Sequence, residues 1–204
     1  MAETADERTF PATSMPPLDW WHALWPDPAA SLRSLGIKDG ECTVDLCCGT
    51  GHFTKPMAGI AGNGWVAAVE LDPGILERAK AYCGGCGNIR WLEGDARLLP
   101  DMLTDKADAV VIGNTFHGVP EKTALAAAIH KVLKPGGRFI IINWHPLPKE
   151  QTVILGQPRG PLSSMRMAPQ SVRDVVEPAG FNLGEIVEMP PYHYGAIFVK
   201  KEGR

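Results

Sequence analysis

The sequence predicts an α/β protein with one doubly wound, mostly parallel sheet and helices on both faces. From residue 42 onward, short apolar runs alternate with segments of helical periodicity. The strand-like runs are nearly continuous in apolar residues, which is typical of parallel strands buried on both faces. Two late apolar runs, 183–188 and 196–200, are separated only by a short stretch containing Pro190 and Pro191, and so short a connection favours an antiparallel pair.

Length and composition bound the class of protein. The chain has 204 residues, which suits one domain, and its 20 basic and 23 acidic residues leave a net charge of −3. This balance disfavours a nucleic-acid partner, and no apolar run is long enough to predict a membrane span. The acidic N-terminus is followed by no apolar stretch, so the sequence predicts a cytoplasmic protein with its five cysteines reduced.

The elements follow from periodicity and from helix-stop signals. Five parallel strands are predicted at 42–47, 65–69, 89–92, 107–112 and 138–143. Four helices are predicted at 52–60, 73–83, 120–133 and 169–179. Pro73 suits a first helical position, and the Pro-Gly-Gly run that begins at Pro135 ends the third of these helices.

Three segments lie outside this alternation. Residues 1–19 are rich in proline, threonine, serine and acidic residues and are predicted to form a flexible arm, leaving 20–204 as a single domain. Residues 20–35 are predicted to form a helical cap, whose closely spaced tryptophans either pack in the core or cover a ligand. Residues 146–167 carry glycine and proline at short intervals and are predicted to be a long loop that could contact a substrate.

The turn after the first strand is the predicted ligand site. Gly49 and Gly51 allow close approach of a ligand to the backbone, and Glu70 ends the next strand, where an acid can accept both hydroxyls of a ribose. The dinucleotide pattern GxGxxG fails because its third glycine position holds Thr54, and no GKS or GKT phosphate loop occurs. These residues predict a nucleoside-containing ligand.

Five segments in order resemble one known family. Residues 44–51, 69–73, 92–96, 107–112 and 132–139 resemble motif I, the post-I segment, the adenine-contacting segment, motif IV and the LKPGGR turn of class I S-adenosylmethionine-dependent methyltransferases, in particular their small-molecule members of types 11 and 25. The resemblance covers about residues 36–145. It implies a seven-stranded sheet whose last strand is antiparallel, S-adenosyl-L-methionine as methyl donor and S-adenosyl-L-homocysteine as product.

The resemblance also implies a role for each cofactor-binding residue. Asp45 would orient the amino group, Cys47, Gly49 and Gly51 would line the methionine part, Glu70 would hold the ribose, Leu71, Asp95 and Ala96 would meet the adenine, and Asn114 would face the reacting end. Read without the family, the two aspartates could cap loops and Asn114 could be a turn residue. Cys47 departs from the pattern, because the family has glycine there.

The acceptor site should lie beyond the fourth and fifth strands. His117 and His145 end these strands and could act as general bases or as hydrogen-bonding wall residues. Candidate substrate contacts are Trp21, Phe116, Trp144, Arg159, Tyr192, His193 and Tyr194. The last three could instead pack at the sheet edge, and Arg159 could be solvated. Cys83 and Cys86 form a single CxxC, which predicts packing at a helix end and no metal site.

Three classes of function stay open at this stage. The leading hypothesis is a methyltransferase for a small-molecule acceptor, with a quinone-like ring, a thiol or a metalloid as alternatives. The departure at Cys47 keeps a non-catalytic S-adenosylmethionine-binding protein open. A tRNA or protein methyltransferase is the third class, and the acidic charge balance weighs against tRNA.

Overall fold

A computed structural model of the chain describes residues 9–10 and 15–202. These residues form an α/β fold in which a central sheet packs against helices. The strands are β1 Thr43–Leu46, β2 Val66–Glu70, β3 Ile89–Glu93, β4 Ala107–Gly113, β5 Leu133–Trp144, β6 Val153–Ile154, β7 Gln157–Pro158, β8 Phe181–Met189 and β9 His193–Lys200. The helices are α1 Leu18–Leu24, α2 Pro28–Ser34, α3 Thr54–Ala61, α4 Pro73–Cys83, α5 Leu99–Met102, α6 Lys122–Val132 and α7 Pro169–Val176. Among the described residues, no helix is long and apolar enough to cross a membrane.

Seven of the strands form one sheet in the order β3-β2-β1-β4-β5-β9-β8. The first five strands along the chain pair in parallel, and β9 is antiparallel to both of its neighbours, β5 and β8. This topology confirms the predicted fold class, including the antiparallel last strand. The strand order reverses between β1 and β4, which is where open α/β sheets bind ligands.

The core lies on both faces of the sheet. Alternate residues of β4 show this: Val110 and Ile112 pack on one face, and Ala109 and Val111 pack on the other. Helices α2, α3 and α4 form one layer of contacts, whereas α5, α6 and α7 form another. Burial on both faces explains the continuous apolar strands that the sequence shows.

Helix α4 shows how local sequence sets an element that borders the ligand site. The Asp72 carboxylate accepts hydrogen bonds from the backbone N–H groups of Gly74 (2.7 Å) and Ile75 (3.0 Å), and Pro73 occupies the first turn. An aspartate cap followed by proline begins a helix, and α4 spans the predicted residues 73–83.

Strand β5 begins earlier than predicted. The sequence predicts that it starts at residue 138, but Leu133 already pairs with Ala107 at the end of α6. The next four residues leave the ladder, with Gly136 at φ +68°, before Arg138 pairs with Ala109. The glycine turn therefore interrupts β5 instead of preceding it.

The segment 146–167 is more ordered than the predicted long loop, because it holds the β6–β7 hairpin. The buried Arg166 guanidinium supports this hairpin, donating to Thr152 Oγ1 (2.9 Å), the Arg159 carbonyl (3.1 Å) and the Pro161 carbonyl (3.3 Å). At the other end of the chain, most of the predicted arm 1–19 lies outside the described residues. Helix α1 begins within it, at Leu18.

Candidate functional site

A cavity of about 320 Å³ lies at the carboxyl ends of β1, β2, β3 and β4. Its wall includes Met15, Trp21, Asp45, Cys47, Gly49, Thr50, His52, Phe53, Glu70, Leu71, Asp95, Ala96, Gly113 and Asn114. Eight of the nine residues assigned to the cofactor by family resemblance line it. The ninth, Gly51, lies in the same turn at φ +88°, where an added Cβ would come within 2.9 Å of Cys83 Sγ.

Asp45 is the most deeply buried acid of this cavity. Asp45 lies on β1, and only 2% of its surface is exposed to solvent. Thr54 Oγ1, at the start of α3, donates a 2.5 Å hydrogen bond to Asp45 Oδ2. Burial raises the pKa of Asp45 to about 7; the Thr54 bond lowers it and the charge of Glu70 raises it. A cation beside this carboxyl would therefore be strongly favoured.

Glu70 links the turns that follow β1 and β2. Its Oε2 accepts a hydrogen bond from the Gly49 N–H (3.0 Å), and its Oε1 accepts from the N–H groups of Leu71 (2.8 Å) and Asp72 (3.2 Å). This arrangement holds a carboxylate at the cavity wall, at the predicted ribose position.

Asp95 follows β3 and pairs with Arg97. Both carboxylate oxygens accept from the Arg97 guanidinium, at 2.5–3.0 Å, and Oδ1 also accepts from the Arg97 N–H at 2.9 Å. Asp95 therefore caps the 3₁₀ helix Ala96–Leu98, the local role that its position also allows. Ala96 packs beside it, 5% exposed, in the cavity wall.

Cys47 occupies a backbone conformation that favours glycine. Its φ is +59°, in the left-handed region, and Gly49 follows at +56°. A Cβ is disfavoured there, which gives a physical reason for glycine at this position in the family pattern. Burial, together with nearby Glu70 and Asp45, raises the pKa of the Cys47 thiol well above its usual value, so the thiol stays protonated.

Met15 packs directly against Gly49. A Cβ built on Gly49 would lie 2.5 Å from Met15 Sδ, so any larger residue would push this flexible side chain aside, and the φ of +56° separately favours glycine. Met15 and the neighbouring Pro16 thus form part of the cavity wall. The segment that leads into α1 closes the cavity on this side.

Asn114 follows β4 and faces the same cavity. Its φ is +53°, and its backbone N–H donates to the Ile142 carbonyl at 2.9 Å. Its amide nitrogen and oxygen are both buried and have no hydrogen-bond partner among the described residues. Buried polar atoms are nearly always satisfied, so this amide marks a place for a polar ligand or water.

An aromatic cluster extends from the cavity toward β5 and β9. The Trp21 and His52 rings lie 5.9 Å apart and both line the cavity, and Trp25 links His52 to His193. His193 in turn packs 4.0 Å from Trp144. Within the described chain, His52 and His193 have no hydrogen-bond partner for either ring nitrogen.

Of the predicted substrate contacts, only Trp21 lines this cavity. Trp144 and His193 lie behind it in the aromatic cluster, and Tyr192 stacks on Trp144 while donating to the Val153 carbonyl (3.0 Å). The remaining three lie elsewhere. Phe116 is fully buried against Phe139, Tyr194 is buried and donates to the Met167 carbonyl, and Arg159 is exposed beside the hairpin.

The two candidate bases also lie outside the cavity wall. His117 lines a separate depression with Lys122 and Arg166. His145 Nε2 lies 2.9 Å from Glu188 Oε2, at the β8 side of the sheet. The structure therefore brings neither histidine to the carboxylates and amide that line the cavity.

Sequence reasoning missed three side chains that shape this region. Thr54 holds Asp45, Arg166 holds the hairpin, and His52 lines the cavity. His52 directly follows the glycine turn, so its position in the sequence could have identified it as a residue of the ligand site. Arg166 carried no local signal, because its partners are two carbonyls and a hydroxyl of the same loop segment, which no sequence pattern identifies.

The comparisons with known proteins agree with this geometry. Residues 43–137 match the family model described as "Methyltransferase domain". The chain is 35% identical over 129 residues to the demethylmenaquinone methyltransferase of Lactococcus lactis, covering 61% of this chain and 50% of the relative. It is 29% identical over 123 residues to the enzyme of that name from Staphylococcus aureus, covering 60% and 50%. The chain thus spans about half the length of these curated relatives.

Solved structures share the fold at lower identity. A SAM-dependent methyltransferase from Aquifex aeolicus matches with a TM-score of 0.72 at 22% identity, covering 85% of this chain and 89% of that one. Aeropyrum pernix fibrillarin, solved with natively bound S-adenosyl-L-methionine, matches with a TM-score of 0.63 at 20% identity, covering 84% and 73%. The family match over residues 43–137 and the sheet topology together support a methyltransferase domain, and the fold is the one that the S-adenosylmethionine-dependent methyltransferase structures share.

Proposed function

We propose that this chain transfers a methyl group from S-adenosyl-L-methionine to a small-molecule acceptor, leaving S-adenosyl-L-homocysteine. One observation carries the proposal: acids at the ends of three adjacent strands and an unpartnered amide after the fourth line a single cavity. When bound, S-adenosylmethionine supplies a methyl group on a positively charged sulfur, and the S–C bonding pair stays on that sulfur as the acceptor bonds to the methyl carbon.

The chain's own residues hold and orient the two molecules. Asp45 would hold the amino group, Glu70 the ribose hydroxyls, and Asp95 with Leu71 and Ala96 the adenine. The sheet order β3-β2-β1 supports these assignments, because Asp95, Glu70 and Asp45 follow one another across the sheet in the order that adenine, ribose and amino acid would require. Trp21 of helix α1 lines the same cavity, so α1 forms part of its wall and would help to hold the acceptor in line with the methyl group.

Proton removal is the least demanding part of this chemistry. A base is needed only where the acceptor must lose a proton, and solvent can take a proton from an acidic hydroxyl. His117 and His145 keep their proposed roles as bases only if the acceptor reaches beyond the cavity. Their replacement, described below, tests this.

A quinone-like ring is the second candidate acceptor. It is favoured by two relatives named demethylmenaquinone methyltransferases and by the aromatic cluster next to the cavity. A metalloid acceptor is less well supported, because burial raises the pKa of Cys47 and Cys48 and keeps both thiols protonated. A non-catalytic cofactor binder is the alternative from another class.

Calorimetric titration with both cofactor forms tests the proposal. We expect S-adenosylmethionine and S-adenosylhomocysteine each to bind with micromolar affinity, and an acceptor screen to release S-adenosylhomocysteine. Absence of binding by both would contradict the proposal, and binding without turnover on any acceptor class would favour the non-catalytic alternative. Glu70→Ala is the matched variant with a damaged site. A cytoplasmic location is part of the proposal and is tested by cell fractionation.

A further inference from the structure

Six buried polar atoms that lack a hydrogen-bond partner within the described residues belong to residues of the cavity wall. Among the described residues, Trp21 Nε1, Thr50 Oγ1, both ring nitrogens of His52 and both amide atoms of Asn114 are buried without a hydrogen-bond partner, and all four residues line it. A buried polar atom that is left unpaired destabilises the fold. So many at one place indicate a polar ligand that satisfies them.

His52 lies at the end of the cavity away from the proposed adenine position. Its neighbour Phe53 packs on Gly113 at the end of β4, where an added Cβ would lie 3.1 Å from the Phe53 ring. Since β4 lies on the opposite side of β1 from β2 and β3, His52 is remote from Asp95 along the sheet. The cofactor roles proposed above use the β3-β2-β1 side and leave His52 without a function.

The surroundings of His52 are aromatic and keep it neutral. The Trp21 ring lies 5.9 Å away with an interplanar angle of 25°, and Phe53 packs edge-on at 5.0 Å. Burial, helped by the neighbouring His22, lowers the pKa of His52 to about 4. At neutral pH one ring nitrogen therefore donates and the other accepts, so the ring orients a hydroxyl but does not remove its proton.

The charge of the cavity selects against an anionic acceptor. Within the described residues, no lysine or arginine lines the cavity, and its acids are Glu70 and Asp72, together with Asp45, whose pKa burial raises to about 7, and Asp95, which pairs with Arg97 outside the wall. An anionic acceptor would meet the Glu70 and Asp72 carboxylates without a basic partner in the wall. A neutral molecule with an aromatic face suits the wall formed by Trp21 and Phe53.

We propose that His52 is a positioning residue for the acceptor, hydrogen-bonding the hydroxyl of an uncharged aromatic alcohol whose ring lies against Trp21. This inference rests on the proposed function and names its acceptor class. Both ring nitrogens are buried among the rings of Trp21, Trp25 and Phe53, so the acceptor's hydroxyl reaches them when these side chains adjust around it. His52→Phe keeps the ring packing and removes the hydrogen bond.

The test uses the full chain saturated with S-adenosylhomocysteine and two probes, 1-naphthol and naphthalene. Equilibrium dialysis gives the dissociation constant of each probe. In the ratio of the two constants, the contribution of burying the shared naphthalene ring cancels, so the ratio reports the hydroxyl group. We expect His52→Phe to shift this ratio about fivefold against 1-naphthol, as loss of one net hydrogen bond predicts. The control is His22→Phe: it changes a histidine 5.7 Å from His52 that does not line the cavity, and it should leave the ratio unchanged.

A second measurement uses the unmodified protein, so it does not depend on folding of the variant. The ¹⁵N resonances of the His52 ring should shift with 1-naphthol and not with naphthalene. An unchanged ratio in His52→Phe, unshifted resonances, or binding of neither probe to the loaded protein overturns the inference while leaving the cofactor assignment intact. Failure of S-adenosylhomocysteine to bind, seen before any probe is added, overturns the proposed function and this inference together.

Discussion

Replacing Asp45 with asparagine should stabilise the ligand-free protein and weaken its binding of S-adenosylmethionine. The carboxyl is 2% exposed and its charge is opposed by burial, which raises its pKa to about 7. Asparagine has nearly the same shape, and its side-chain oxygen can still accept the hydrogen bond from Thr54. The substitution therefore removes the ionisation and little else.

The magnitude follows from the two pKa values. An unfolded aspartate titrates at about 3.9, so between about pH 4 and pH 7 the folded protein keeps a proton that the unfolded chain has lost. Stability therefore falls as pH rises through this window and stays low above it. The loss is about 1.5 kcal/mol at pH 5 and about 4 kcal/mol at pH 8. The stability advantage of Asp45→Asn should thus grow by about 2.5 kcal/mol between these pH values.

Urea unfolding of both proteins at pH 5 and pH 8 measures this double difference, in which other titrating groups cancel. A double difference within about 0.5 kcal/mol of zero would refute the assignment of a buried, protonated Asp45. Calorimetry tests the binding part of the prediction. The affinity of the wild type for the cofactor should fall about tenfold per pH unit below about pH 7, as Asp45 takes up a proton. The affinity of Asp45→Asn should be weak and should not change with pH over this range. Thr54→Val removes the bond that lowers the pKa, so it should move the midpoint to higher pH.

Four further outcomes are expected. Glu70→Ala should weaken S-adenosylhomocysteine binding by about 1–3 kcal/mol in calorimetry, with Glu70→Gln losing less, and unchanged affinity would contradict the ribose assignment. In urea unfolding, the free energy of unfolding of Cys47→Gly should exceed that of Cys47→Ala by about 1 kcal/mol, because the residue has a φ of +59°. Equal stabilities would argue against a left-handed backbone conformation at this position. His117→Ala and His145→Ala should each keep cofactor affinity within about twofold, since neither lines the cavity, and a lower turnover in either would support a base. Arg166→Met should destabilise the fold by about 2–3 kcal/mol, because it leaves hairpin acceptors unpaired, which hydrogen exchange of 152–160 would report.

The parts of the structure that local chemistry determines are those the sequence predicts well. Helix α4 follows from an aspartate cap and a proline, and the parallel strands follow from apolar runs buried on both faces. The turn that follows β1 is predicted by Gly49 and Gly51, although the strand ends at Leu46 and not at the predicted Cys47. The β6–β7 hairpin does not follow, because its strands are two residues long and depend on the distant Arg166 side chain.

The site shows the same division between local and tertiary information. His117 and His145 follow strand ends and were natural candidates, but a strand end does not determine where the next side chains point. His117 lines a separate depression and His145 pairs with Glu188, whereas His52, which follows the glycine turn, lines the cavity. The direction of a side chain beyond a strand is set by packing, which periodicity does not encode.

The contact between Met15 and Gly49 makes the N-terminal segment a competitor for the cavity. A ligand that lies against Gly49 needs the space that Met15 Sδ fills, so the Met15 side chain must move when such a ligand binds. The measured affinity is then the intrinsic affinity multiplied by the fraction of molecules in which the Met15 side chain has moved away. Sequence changes around Met15, outside every family motif, therefore tune how tightly and how quickly the protein binds at its glycine turn.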